Sequence, residues 1–551
     1  MHRVTRRVTR RQALLTFGAL ALAATACSGE APAAPAAGKP GLGNKAGAMP
    51  KYAVGDQFKA TVPLTFSVLY NNHPNYALKK DWLFWSELEK RTSVTFDPVT
   101  VPLSDYEKKR SLLIGAGDAP LIIPKTYPHQ EEPFVASGAI LPVSDYVDLM
   151  PHFQDKVAKW NMKADLDTLR QADGRFYLLP GLHENIWLDY SLAVRADILD
   201  KHGLQVPKTW DELHTLLKAI KQEYPDLYPM TDRWGVPTPG GNLLNIVGAA
   251  HGAPGGWGYQ HATWDAAAGK FAFTGSMPQY KAVLEYLNKL VAEKLLDPES
   301  FTQSDDAAIQ KIVGGKSFVI STNAQTLVND YRPPLKKFDP DAKLVKISTP
   351  TGPLGDVKAG NRLENGIMIS KKALDSENFV AMMQFIDWLW YSDAGQEFAK
   401  WGVEGVTYTK AGEGEYELNE DVDFIGLNPD GSKHLQKDFG FSNGVFAYGG
   451  RTSLLQSTFS DEEKEFQAVI NARQALPVPP PRPFTDEERE QAALWETALR
   501  DHVDQNTLKF ILGDRPLSEW DAYVKELEAK SSTSYINLVN TAYERFKKEH
   551  G

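Results

Sequence analysis

Leu64, Phe66 and Val68 alternate with Thr65 and Ser67, and the run continues through Leu69 and Tyr70. That pattern predicts a strand, and Asn71-Asn72-His73-Pro74 supplies the turn that ends it. Trp82, Trp85, Leu88 and Glu89 then fall at helical spacing. Val94-Thr95-Phe96 predicts a second strand, Tyr106 to Ile114 a second helix stopped by Gly115 to Gly117, and Leu121-Ile122-Ile123 a short buried strand. Strands alternating with helices argue a parallel sheet with helices on its faces. In such sheets ligands bind beyond the carboxyl ends of the strands. This places Asn71, Asn72, Lys125 and Tyr127 near a mouth.

Further on, Thr209 to Glu212 reads as a capping box, followed by Leu213, Leu216, Leu217 and Ile220 on one helical face. Phe379 to Phe398 predicts one helix with Met382, Met383, Ile386 and Trp390 on one side. Trp82, Trp85, Trp388, Trp390 and Trp401 are expected in the core.

At the start of the chain, Arg3, Arg6, Arg7, Arg10 and Arg11 precede an apolar run from Ala13 to Ala26 and then Cys27, the only cysteine. Charged, apolar and small residues in that order are the layout of a secretory signal peptide. The run is shorter than the roughly 20 residues that span a bilayer. Ala24-Thr25-Ala26-Cys27 resembles a bacterial lipobox, although Ala24 stands where a branched residue is usual. The resemblance implies that Cys27 is lipidated and becomes the N-terminus, anchoring the chain at the extracellular face of the cell membrane. Thr9-Arg10-Arg11-Gln12-Ala13-Leu14-Leu15 resembles a twin-arginine signal, but arginine pairs also occur in ordinary leaders, so both export routes stay open. Residues 27–60, rich in Ala, Pro, Gly and Lys, are expected to be a flexible spacer.

Composition narrows the function. The chain carries 60 basic and 70 acidic side chains; without residues 1–26 it would keep 55 basic groups, for a net charge of −15. Such a surface argues against nucleic acid, whose phosphates require clustered Lys and Arg. One cysteine permits no intrachain disulfide. No H-E-x-x-H, Walker loop or nucleophile elbow occurs, and no His/Cys cluster suggests zinc.

Several stretches, in order, resemble bacterial extracellular solute-binding proteins of ATP-driven (ABC-type) importers, family 1. These are Gly115-Ala116-Gly117-Asp118-Ala119-Pro120-Leu121-Ile122, Phe134 to Val143, Asp173-Gly174-Arg175-Phe176-Tyr177-Leu178-Leu179-Pro180, and Arg195 to Leu213. Leu296 to Phe301, Gly314 to Phe318, Gly402-Val403-Glu404-Gly405-Val406-Thr407-Tyr408, Leu508 to Gly513 and Trp520 to Val524 continue the match. The chain is most similar to the long, lipid-anchored type of LplA and LipO and to alginate-binding periplasmic proteins. The family's calcium loop has no counterpart: Gln222 to Met230 lacks the closely spaced acids that wrap a hard cation. No cofactor or metal is expected.

The resemblance implies a two-lobed α/β fold of the type II periplasmic-binding (Venus-flytrap) class with a helical C-terminal extension. The expected N-lobe is 61–182 and 362–405, and the expected C-lobe 183–361 and 406–551, with crossings near 180–186, 361 and 405. It implies a non-enzymatic, monomeric receptor that traps a solute, most naturally an oligosaccharide, and delivers it to ABC permease subunits. Sugars present hydroxyls and apolar C–H faces, so candidate ligand-binding residues are aromatic and polar loop residues: Asn71, Asn72, Lys125, Tyr127, Trp187, Tyr190, Trp257, Tyr259 and Glu404. Two rivals remain: a surface glycan-binding or interaction lipoprotein without transport, and a glycoside hydrolase, which would need two carboxylates about 5–10 Å apart.

Overall fold

The computed structural model describes residues 39–550, apart from 236, 237, 361 and 413. The leader and Cys27 lie outside the described residues. Eight strands build the two larger sheets: β1 (Leu64–Asn72), β2 (Val94–Pro102), β3 (Ile122–Thr126), β4 (Leu179–Leu182), β5 (Ser191–Arg195), β6 (Val319–Thr322), β7 (Leu344–Ile347) and β8 (Leu363–Ile369). The first sheet runs β2-β1-β3-β8-β4, with β1 parallel to β2 and β3, and β8 antiparallel to β3 and β4. The second runs β6-β5-β7, with both outer strands antiparallel to β5. The result is a two-lobed α/β protein with one main core around each sheet and a smaller cluster on the other face of the second.

Local chemistry explains most elements. Thr209 Oγ1 caps the helix Trp210–Glu223 by accepting from Glu212 N at 3.1 Å. The Glu212 carboxylate reaches Lys208 N (2.6 Å) rather than Thr209 N, so the reciprocal half of the expected box moves one residue back. Leu213, Leu216, Leu217 and Ile220 face the second core.

The single helix expected over 379–398 is two, Phe379–Tyr391 and Asp393–Trp401. Ser392 breaks it by capping Gly395 N at 2.8 Å. A Cβ on Gly395 would come within 2.0 Å of Trp388 O, so glycine is what lets the second helix turn back against the first. The first of the pair is buried on every side rather than along one stripe.

The expected spacer and lobe boundaries need correction. Residues 41–60 pack on the first lobe: Ala46 N donates to Glu377 O (2.9 Å), Met49 N to Gln384 Oε1 (2.9 Å), and Phe58 is buried. Tyr52 donates to Asp387, a buried carboxylate that also accepts from His152 N and Phe153 N at the start of the helix Pro151–Lys159. Composition read these residues as a spacer because key partners lie 97 to 335 positions away.

Residues 422–448, expected in the second lobe, finish the first core instead. Phe446 stacks on Phe84 (4.9 Å) and Phe96 (5.3 Å), and Val422, Phe424, Leu435, Phe441 and Tyr448 are buried with them. Accordingly the third passage between lobes lies near 450 and not 405. Three chain segments run side by side there: His183 N donates to Arg362 O (2.8 Å), and Gly450 N donates to Leu182 O (2.7 Å). The helices Asp486–Leu512 and Trp520–Ala529, with Tyr535, Val539 and Ala542, close the second core.

Candidate functional site

The carboxyl ends of the parallel strands β1 and β3 form the first rim. Asn71 is buried there, and its Oδ1 has no hydrogen-bond partner among the described residues. Asn72 is occupied locally, its Oδ1 accepting from Leu78 N at 2.9 Å. Lys125 adopts φ +53°, a left-handed backbone uncommon outside glycine. Arg110 Nη1 holds it there by donating to Lys125 O at 2.7 Å. The Lys125 ammonium lies 5.8 Å from the ring centre of Tyr127, which is 47% exposed. Beneath it, Glu364 accepts from His183 (2.7 Å) and from Gly449 N (3.0 Å). Burial opposes the Glu364 charge, but the His183 bond and the charges of His183, Lys400 and Lys125 outweigh it and hold the carboxyl at about 2.

The second rim is aromatic. Tyr190, just before β5, meets Trp257 edge-on at 5.3 Å and Trp234 edge-on at 5.6 Å, while Trp234 and Trp257 are 5.3 Å apart. Tyr190 and Trp257 are 38% and 42% exposed. Close backbone packing holds the group together. A Cβ on Gly241 would lie 1.8 Å from Trp234 O, and one on Gly256 2.1 Å from Gly241 O. Trp234 itself has φ +65°, with the Arg233 guanidinium 4.6 Å over its ring. Arg233 is tied to Asp305 (3.0 Å) and Asp330 (3.4 Å). Left-handed non-glycine residues thus occur on both rims, a strain that tends to gather at functional sites. The rims are near neighbours: Tyr127 contributes to the electrostatic environment that keeps the Tyr190 hydroxyl protonated, behind burial and Asp189.

Trp187 lies against His183 at 5.6 Å, its indole N–H unpartnered among the described residues. It lines a cavity of about 150 Å³ with Asp189, Val328, Lys346, Phe424 and Glu463. Phe424 belongs to the first core and Lys346 to β7 of the second sheet, so the cavity lies between the lobes. A larger hollow of about 380 Å³ beside Trp82 and Trp85 holds none of the rim residues.

Two expected site residues do not join the rims. Tyr259 is 7% exposed and sits in the second core, among Tyr280 (6.0 Å), His261 (5.5 Å) and the Arg500 guanidinium (4.8 Å). Trp257 lies within the 3-10 turn Gly256–Gly258 and Tyr259 directly after it, and the two rings meet different neighbours. Glu404 is exposed on a turn bridged to Tyr408. No hydrogen bond, ion pair or ring contact among the described residues links it to either rim. Conversely, Trp234, Asp189 and Glu364 were not singled out from the sequence. Trp234 carried one usable signal, a tryptophan followed by glycine shortly before the Pro239-Gly240-Gly241 turn. Among the described residues no group of three or more His, Cys, Asp or Glu side chains is arranged to hold a metal ion, and no helix is long and apolar enough to cross a membrane.

Residues 75–397 match the model of the bacterial extracellular solute-binding proteins, and the chain belongs to that family. It is 22% identical to the polygalacturonan/rhamnogalacturonan-binding protein YtcQ of Bacillus subtilis, over 87% of this chain and 91% of that one. It is 24% identical to the fructooligosaccharide ABC transporter substrate-binding protein FusA of Streptococcus pneumoniae, over 84% and 87%. Among solved structures, the alginate-binding protein AlgQ2 without calcium superposes with a TM-score of 0.68 at 18% identity, covering 89% of this chain and 99% of that one. The fold is therefore the two-lobed fold of periplasmic solute-binding proteins.

Proposed function

We propose that this chain is a lipid-anchored extracellular receptor that captures an oligosaccharide between its lobes and passes it to the permease of an ABC transporter. The observation that carries the reading is the aromatic trio of exposed Tyr190 and Trp257 with half-buried Trp234, near a polar rim of Asn71, Lys125 and Tyr127. Aromatic planes cover the C–H faces of sugar rings, while amides and ammonium groups bind hydroxyls. YtcQ and FusA, whose names specify carbohydrate ligands, support the same class. Both are binding proteins, which favours a receptor over a catalyst.

Capture would proceed by closure of the lobes about the three adjacent segments at 182–183, 362–363 and 449–450. In this reading the first lobe comprises 41–182 and 363–448, and the second comprises most of the rest. A ligand shifts such an equilibrium only by contacts it gains in the closed form, so it must touch both rims. Anchoring would rest on Cys27.

A thermal-shift and calorimetric screen of residues 39–551 against fructo-, manno-, galacto- and galacturono-oligosaccharides of two to six units tests the reading. A ligand at a hundred times its Kd adds about 2.7 kcal/mol and raises Tm visibly. A shift with the sugar recovered intact supports a receptor; release of shortened sugar would sink it, and so would silence across the whole panel. Radiolabelled palmitate incorporation, lost in Cys27→Ser, tests the anchor.

A further inference from the structure

The cavity beneath Trp187 differs in chemistry from the aromatic rim. Its basic group, Lys346, is committed: Nζ donates to Asp189 Oδ1 (2.9 Å) and to both Glu463 oxygens (3.0 and 2.8 Å). Arg332, just outside, is committed to both oxygens of Glu462 (2.8 and 2.7 Å). Asp189 Oδ1 also accepts from Ala324 N at 3.0 Å, and Gln467 Nε2 donates to Glu463 Oε1 at 2.8 Å. Apart from the unpartnered Trp187 indole N–H, the capacity left on the charged side chains consists of acceptors. Asp189 Oδ2 has no hydrogen bond among the described residues, and Glu463 Oε2 has a lone pair to spare. Burial pushes Glu463 up to about 7; Lys346 pulls the other way and Asp189 adds to the push, so this site already resists its own negative charge.

A group seated against Asp189 and Glu463 must donate hydrogen bonds. A sugar hydroxyl, amine or amide N–H does so; an ionised carboxylate only accepts, and would face the carboxylates of Asp189 and Glu463. Val328, Phe424 and Ile425 supply apolar wall for the C–H face of a ring. The volume, about that of five waters in the liquid, matches the scale of one sugar unit. Lys125, which forms no ion pair among the described residues, belongs to the opposite rim and does not line the cavity.

We infer that the cavity lined by Trp187, Asp189, Lys346 and Glu463 is a sugar subsite that accepts a neutral or nitrogen-bearing unit and rejects a uronate. The inference rests on the oligosaccharide reading and narrows it to ligands with an uncharged or N–H-bearing unit at that position.

The test takes the neutral oligosaccharide that binds tightest in the panel and its counterpart oxidised at the primary alcohols to the uronate. Calorimetry on the same chain should show the oxidised form at least about tenfold weaker. Asp189→Asn, which replaces the spare acceptor with a donor, should narrow that gap at least about threefold. Glu462→Gln, at a half-exposed position, provides a second reading should Asp189→Asn lose its melting transition, and should narrow the gap in the same direction. Equal or tighter binding of the oxidised form overturns the inference, as does a gap that neither variant changes. Binding of uronates with no neutral sugar bound overturns it while leaving the oligosaccharide reading intact. No sugar of either kind binding overturns both.

Discussion

Arg489, in the first turn of the helix Asp486–Leu512, donates to Glu132 and, through its other terminal nitrogen, to Gln171 Oε1 at 2.7 Å. The helix packs in the second core, whereas Glu132 opens the 3-10 helix Glu132–Phe134 and Gln171 lies in a loop, both in the first lobe. One guanidinium therefore bridges the lobes at a distance from the three connecting segments. Arg489→Ala should widen the interlobe angle, read as a larger radius of gyration in solution scattering, and lower stability by about 1–3 kcal/mol. Unchanged scattering together with an unchanged melt would remove the bridge from any account of closure.

Glu131, next to Glu132, gives a pH signature. It is fully buried, and neither carboxylate oxygen has a partner among the described residues. Burial lifts it from 4.5 to about 7, with His129 opposing and Glu132 adding to the rise. The native state therefore keeps a proton that the unfolded chain releases above about pH 4.5. Stability attributable to this group falls as pH rises from about 4.5 to 7 and stays low above that. Glu131→Gln should leave Tm nearly unchanged at pH 4.5 and raise it at pH 8, by the equivalent of roughly 1–3 kcal/mol. A difference that is the same at both pH values would show that the side chain titrates normally.

For ligand capture, Trp257→Ala is the informative variant. Its ring is 42% exposed, so its loss should change the melting temperature little. If the rim stacks on sugar, affinity should fall by about 2 kcal/mol or more, the scale of a truncated anchor residue. Retained affinity would move the binding surface elsewhere.

The assignment of 422–448 to the first core is open to a packing test. Phe441 is fully buried against Phe84 (5.8 Å) and Phe398 (5.4 Å). Phe441→Ala should cost about 3–5 kcal/mol in chemical denaturation. A loss below about 1 kcal/mol would mean that this segment is an appendage.

What the sequence revealed was local. β1, the cap of Thr209 on its helix and the apolar face from Leu213 to Ile220 follow from short-range periodicity, and they stand where that periodicity put them. Tyr127, Tyr190 and Trp257 were legible because loops rich in glycine or next to strand ends display rings to solvent. Tyr259 was misjudged because two positions along a 3-10 turn are enough to give a side chain different neighbours. The docking of 41–60 and of 422–448 was not legible at all, because key partners lie far along the chain and a polar, proline-rich composition is equally compatible with a docked strap and a free tether. The cavity chemistry was hidden for a related reason: Asp189, Lys346 and Glu463 come from three separate stretches, and only the fold reveals which acceptor each cation has already taken.

The order in which the chain visits the two lobes has a kinetic consequence. β8 sits between β3 and β4, and Phe441 and Phe446 fill the centre of the same core, so that half lacks its middle until residue 448 is available. The other half, begun at Ser191, waits for Leu499, Val503 and Val539. Neither half can condense early as an independent nucleus with all its native partners, and closing such long loops is slow. A polypeptide woven in this way leaves one half unfinished until residue 448 has emerged and the other until about residue 542.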